Sequence, residues 1–178
     1  CVLEGDVTDL PTAPSVAPVG LKTATQVDVA APGDLTQEGT VVLDVSDSLS
    51  FRDGHAPGAW WIIRARLKDD LAAVPMASRY VVTSGDGVLA RLAASDLKAL
   101  TGKPVAVLEG GNDAYTAAGL ILTVGWENLA SAREDLFYKP YDREGSPEEA
   151  MQQYLTWEIA LVEQIKRDGT LVFPHFDP

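Results

Sequence analysis

Residues 80–100 read YVVTSGDGVLARLAASDLKAL, and this stretch decides the fold. The β-branched apolar run Val81-Val82-Thr83 predicts a buried strand, while Leu89, Leu92, Ala93, Leu97 and Leu100 recur at helical spacing. Ser84-Gly85-Asp86-Gly87 is then the turn between the carboxyl end of a strand and the amino end of a helix, where a parallel sheet presents ligand sites. Backbone N–H groups converge in such a turn and the helix dipole adds positive potential, so it can hold an anion or stabilise a thiolate. The loop contains no cysteine. A Ser84 hydroxyl needs an adjacent base to attack anything, and Asp86 puts negative charge where an anion would sit. The scaffold reads as intact and the chemistry as missing.

Working outward, Thr40–Val45 (TVVLDV) and Lys103–Leu108 (KPVAVL) each predict a buried parallel strand. The second leads through Glu109-Gly110-Gly111 into a short helix over about 112–118. Residues 26–31 predict a short edge strand. Gly54-His55-Ala56-Pro57-Gly58-Ala59 is a tight turn into a strand at Trp60-Trp61-Ile62-Ile63, and 64–73 predicts a helix. Asp44 reads as an acid that fixes the following loop through backbone hydrogen bonds. His55, with no acidic or nucleophilic partner evident beside it, reads as a structural residue closing its turn. Strand and helix alternate throughout, which predicts a mainly parallel sheet covered on both faces.

The flanks differ. Pro11, Pro14 and Pro18 make residues 1–25 read as a linker or, because Leu3-Glu4-Gly5 repeats at Leu108-Glu109-Gly110 and Val19-Gly20 at Val124-Gly125, as the tail of a preceding copy. Phe137-Tyr138-Lys139-Pro140-Tyr141 is an extended aromatic segment. Ser146-Pro147-Glu148-Glu149 then carries an N-cap, a first-turn proline and a capping-box glutamate, predicting a helix that runs to about Asp168 and stops at Gly169. Met151, Tyr154, Leu155, Trp157, Leu161, Val162 and Ile165 give it a wide apolar stripe, a packing surface for its own domain or for a partner.

A net charge of −12 opposes binding to nucleic acid or to an anionic membrane. No apolar run approaches transmembrane length and no secretory signal is present, so the expected location is cytoplasmic, with no metal and no cofactor. Cys1 is the sole cysteine, which rules out an internal disulfide. A chain opening on Cys is expected to be a fragment or a processed product; a lipid-anchored mature terminus also begins this way.

Val42-Leu43-Asp44-Val45, Gly54-His55-Ala56-Pro57-Gly58-Ala59, the strand–loop–helix at Tyr80 and Leu108-Glu109-Gly110-Gly111, in this order, resemble the signature of the rhodanese (thiosulfate sulfurtransferase) family. Lys139-Pro140-Tyr141 and Tyr154-Leu155-Thr156-Trp157-Glu158 resemble the last domain of proteins with several such modules in tandem. The resemblance implies a rhodanese-like α/β domain over 26–125, with a five-stranded mainly parallel sheet and helices on both faces, followed over 126–178 by a C-terminal extension with a long helix. It also implies an active loop at Ser84, Gly85, Asp86, Gly87, Val88 and Leu89, and a structural motif at Asp44, His55, Gly58, Gly110 and Gly111.

In that family a loop cysteine carries sulfane sulfur as a persulfide and passes it to cyanide or another thiophile. The matching position falls on Ser84, or on Thr83 if the loop shifts, and neither forms a persulfide; the basic residue that commonly ends the loop is replaced among Gly87, Val88 and Leu89. The expectation is a catalytically degenerate module of a larger sulfurtransferase, partnered by other rhodanese-like domains of the same polypeptide. The alternatives are an active sulfurtransferase borrowing Cys1, and an anion-binding, phosphatase-like or protein-interaction module in which Gly85 and Gly87 supply weak backbone donors.

Overall fold

The computed structural model describes residues 27–139, 142 and 145–170. The readings of residues 1–25, of Cys1 and of Pro140-Tyr141 lie outside the described residues. Two units follow one another, residues 1–135 and 136–178.

In the first unit five strands form one sheet in the order β1-β5-β4-β2-β3, every pair parallel. They are β1 (Asp28–Ala30), β2 (Thr40–Asp44), β3 (Trp60–Trp61), β4 (Arg79–Thr83) and β5 (Val105–Leu108). Their near-continuous apolar sequences follow from burial on both faces. Leu43, Tyr80, Val82, Val105 and Val107 face one side, with Ala90, Ala93, Ala94 and Leu97 of α3 (Val88–Thr101) and Leu67 of α2 (Leu67–Asp70). The alternate residues face the other side: Val42 with Phe51 of α1 (Ser48–Asp53), and Val81, Ala106 and Leu108 with Tyr115 of α4 (Gly111–Ala117). The period of two along each strand thus builds two cores from one sheet.

Two local expectations are corrected. The helix expected over 64–73 is broken into a 3-10 turn at Arg64–Arg66, the single turn α2, and a 3-10 turn at Leu71–Ala73. Among these residues only Leu67 is fully buried, so no apolar stripe holds a longer helix against the sheet. α2 is braced by an Arg66–Asp70 pair at 2.9 Å instead. The strand expected over 60–63 ends at Trp61, because the Ile63 amide leaves the ladder and donates to Ser131 Oγ at 3.0 Å. The helix α1 adds an element: Asp47 caps it by accepting from the Ser50 amide at 2.9 Å, and Phe51 anchors it.

β2 and β4 are neighbours, yet the helices that follow them, α1 and α3, cover opposite faces. The chain therefore parts at their carboxyl ends, which is where an open α/β sheet leaves a crevice. The first unit also takes in residues beyond 125: Trp61 bridges Leu129, and the Ile63 amide donates to Ser131 Oγ.

In the second unit α5 spans Pro147–Asp168. Ser146 Oγ accepts from the Glu149 amide at 3.4 Å, Pro147 sits in the first turn, and Gly169 at φ 63° ends the helix by donating to Ile165 O. Among the described residues no helix is long and apolar enough to cross a membrane.

Candidate functional site

Residues 84–87 leave β4, the central strand, and turn into α3. Gly87 makes the turn with φ 79°, a left-handed conformation that a β-carbon would strain. Ser84 is 3% exposed, and its Oγ accepts from the Ala90 amide at 3.2 Å. Asp86 is exposed, and its Oδ1 accepts from the Val88 amide at 2.9 Å. Two amides of the first turn of α3 are thus taken by side chains of the loop itself, one of them a carboxylate. The helix end that would receive an external anion already has an internal one.

The loop is held from outside by the start of α4. Asn112 N–H donates to Ser84 O at 3.0 Å and Asp113 N–H to Gly85 O at 2.9 Å. Gly110 and Gly111 are both left-handed, at φ 66° and 63°, and at Gly111 the loop backbone lies so near that no β-carbon fits. Gly58 is left-handed too, in open space at the tip of its turn.

Behind the loop a buried polar chain joins the ends of β4 and β2 through the start of α4. Thr83 Oγ1 donates to Asn112 Oδ1 at 2.9 Å, Asn112 Nδ2 donates to Asp44 Oδ2 at 2.7 Å, and Asp44 Oδ1 accepts from the Ser46 amide at 2.8 Å. The Ser46 bond is the loop-fixing contact expected of Asp44. The sequence places Asn112 only at the start of a helix and gives it no role in the site, because its partners lie 29 and 68 residues away; its one local signal is a short polar residue directly after Gly110-Gly111. Burial pushes the Asp44 carboxyl above its ordinary value, against the pull of donors at Ser46 and Asn112 and of nearby His55. His55 is fully buried and stacks on Phe51 with ring centroids 3.8 Å apart. Its Nδ1 lies 2.7 Å from Phe51 O, so Nδ1 carries the proton, and its Nε2 lies 3.9 Å from Glu127 Oε1.

A pH experiment checks the Asp44 environment. With its folded-state value raised, Asp44 keeps its proton in the fold at a pH where the unfolded chain has released it, so its contribution to stability falls as pH rises from about 4 through that value. Asp44→Asn has no proton to lose, and the chain can reverse: residue 44 donates to Asn112 Oδ1, and the Asn112 amide donates to Thr83 Oγ1. The stability of the variant relative to wild type should therefore climb with pH in urea unfolding between pH 4 and 7. A constant difference would contradict the raised value.

The geometry brings Ser84, Gly85, Asp86, Gly87, Asp44, Gly110 and Gly111 to one end of the sheet, where the contacts of Ser84, Gly85 and Asp44 meet on α4. Val88 and Leu89 lie on the first turn of α3, partly exposed, and His55 and Gly58 belong to the turn before β3. No cluster of three or more His, Cys, Asp or Glu residues suited to a metal occurs among the described residues.

A sequence profile of the rhodanese-like domain matches residues 31–118, a span that contains β2 to α4. Among solved structures the chain is similar to a thiosulfate sulfurtransferase from Pseudomonas aeruginosa, with 44% identity and a TM-score of 0.76 over 85% of this chain and 30% of that one. The chain therefore spans less than a third of that relative's length. It is also similar to a protein of unknown function from Rhodopseudomonas palustris, described as a possible tyrosine phosphatase, with 22% identity and a TM-score of 0.50 over 63% of this chain and 100% of that one; that likeness concerns the fold alone. No curated protein matches the chain. Profile and structural similarity agree: residues 31–118 are a rhodanese-like domain, with the rhodanese fold.

Proposed function

We propose that this rhodanese-like domain is the catalytically degenerate C-terminal module of a larger sulfurtransferase, in which it supports sister modules of the same polypeptide. The observation that carries the reading is the head of the loop. Ser84 stands there with its hydroxyl buried and bonded to the Ala90 amide, in a loop without a thiol or a basic residue. Sulfur transfer through a persulfide needs a thiolate to accept the sulfane sulfur, and a serine hydroxyl stays protonated at neutral pH. Asp86 adds a carboxylate that opposes the approach of anionic thiosulfate. The supporting role draws on the long relative, a thiosulfate sulfurtransferase of which this chain matches 30%.

The test is thiosulfate-to-cyanide transfer by the purified chain, read as thiocyanate formed. The expected rate is background. Turnover that survives Cys1→Ser would overturn the reading, because the chain would then be transferring sulfur without any thiol.

A further inference from the structure

α5 carries an apolar face that is exposed among the described residues. Trp157 is engaged within the unit, its ring 6.4 Å from Phe137 and 5.9 Å from Tyr154 between centroids. About 160° away around the helix lies a second line of residues. Glu148, Gln152, Leu155, Ile159, Val162 and Lys166 follow one another in steps of four, three, four, three and four, the spacing that keeps side chains on one straight seam. Its three apolar members are 43%, 76% and 55% exposed.

We propose that the chain self-associates through this seam, with two copies of α5 packed antiparallel about a twofold axis near residue 157. The second copy is favoured as occupant because the seam is complementary to itself. Its step pattern reads the same in both directions, so one antiparallel register sets Leu155 against Ile159 of the second copy and Gln152 against Val162. That register also brings Glu148, at the amino end, to Lys166, at the carboxyl end, twice over by symmetry. A parallel pair would place glutamate on glutamate and lysine on lysine. Both end residues are exposed, and their present bonds, Glu148 to Ser146 and Lys166 to Glu163, are surface contacts within one turn that leave each able to swing to a partner.

The experiment is sedimentation equilibrium on the full chain, with far-ultraviolet circular dichroism to confirm that each variant keeps its helix. Wild type should show a concentration-dependent monomer–dimer equilibrium. Glu148→Lys and Lys166→Glu should each raise the dissociation constant about tenfold or more, since each change acts twice in a symmetric interface. An equimolar mixture of the two variants should restore dimer. In the mixed pair the lysine introduced at position 148 of one copy meets the glutamate introduced at position 166 of the other, and the unchanged Lys166 meets the unchanged Glu148. Helix damage alone gives no such rescue. Ile159→Asp should leave only monomer. A wild-type chain that stays monomeric at high concentration, as it would if another part of its polypeptide covered the seam, would overturn the proposal. So would a dimer unaffected by these changes, or a mixture no better than either variant alone.

Discussion

Gly111→Ala should cost at least about 3 kcal/mol of stability, far more than alanine at glycines of the domain that lie in open space. A β-carbon at 111 would fall on Ser84 O and lie 2.5 Å from Gly85 O and 2.6 Å from Gly87 N, all of them backbone atoms that no rotamer change can move. Relief requires the loop at residues 84–87 to separate from the start of α4, which gives up the Asn112–Ser84 and Asp113–Gly85 bonds. Two controls separate the clash from backbone strain. Gly102 is also left-handed, at φ 66°, but a β-carbon there meets nothing within 4 Å, so Gly102→Ala should cost only the conformational term of about 1–2 kcal/mol. Gly85 is in open space and outside the left-handed region, so Gly85→Ala should be close to neutral or mildly stabilising. Chemical denaturation of the three variants ranks them. If Gly111→Ala and Gly102→Ala lose similar stability, the loop is not wedged against α4 as the geometry requires.

That contact shows where the sequence stops speaking. The strand–turn–helix from β4 to α3 is legible because its signals are local: a β-branched run, two glycines, then apolar residues at helical spacing. α5 is legible for the same reason, through its Ser146-Pro147-Glu148-Glu149 start and its Gly169 stop. The parallel sheet follows from alternation, and every strand pair obeys it. Residues 64–73 misled because Leu67 and Leu71 repeat at helical spacing for one turn only, and one turn cannot show whether the period continues. α1 escaped because it is short, marked only by an Asp47 cap and one buried aromatic. Gly110-Gly111 could be recognised as a motif, but its purpose is to let β5 and α4 approach a loop more than twenty residues earlier. Asn112 is harder still, since its meaning lies in Thr83 and Asp44, on two other strands. Local periodicity reveals elements; the closing of a site across strands is a tertiary fact.

Ser84→Cys should create a thiol whose reactivity reports whether the cradle survives, and the Asp86 carboxylate should govern how far it is activated. A sulfur at position 84 would sit where Oγ now accepts from the Ala90 amide, at the amino end of α3, and such settings lower a thiol pKa from about 8.5 by roughly one unit or more. Asp86 works against this: its carboxylate occupies the same helix end, accepting from Val88, and repels a thiolate a few ångströms away by about 1 kcal/mol or more. Asp86→Ser removes the charge while keeping an oxygen that can accept from the Val88 amide. In a Cys1→Ser background, alkylation followed across pH should therefore give a modestly lowered thiol pKa for Ser84→Cys. The double variant Ser84→Cys with Asp86→Ser should titrate lower still and react severalfold faster near neutrality, approaching the roughly tenfold that one pKa unit represents. Burial at position 84 slows access for both, so the comparison rests on the inflection of each profile rather than on its plateau. If both thiols titrate near free cysteine, the amides do not stabilise charge at this position, and the loop lacks the cradle geometry that its place at a helix amino end implies.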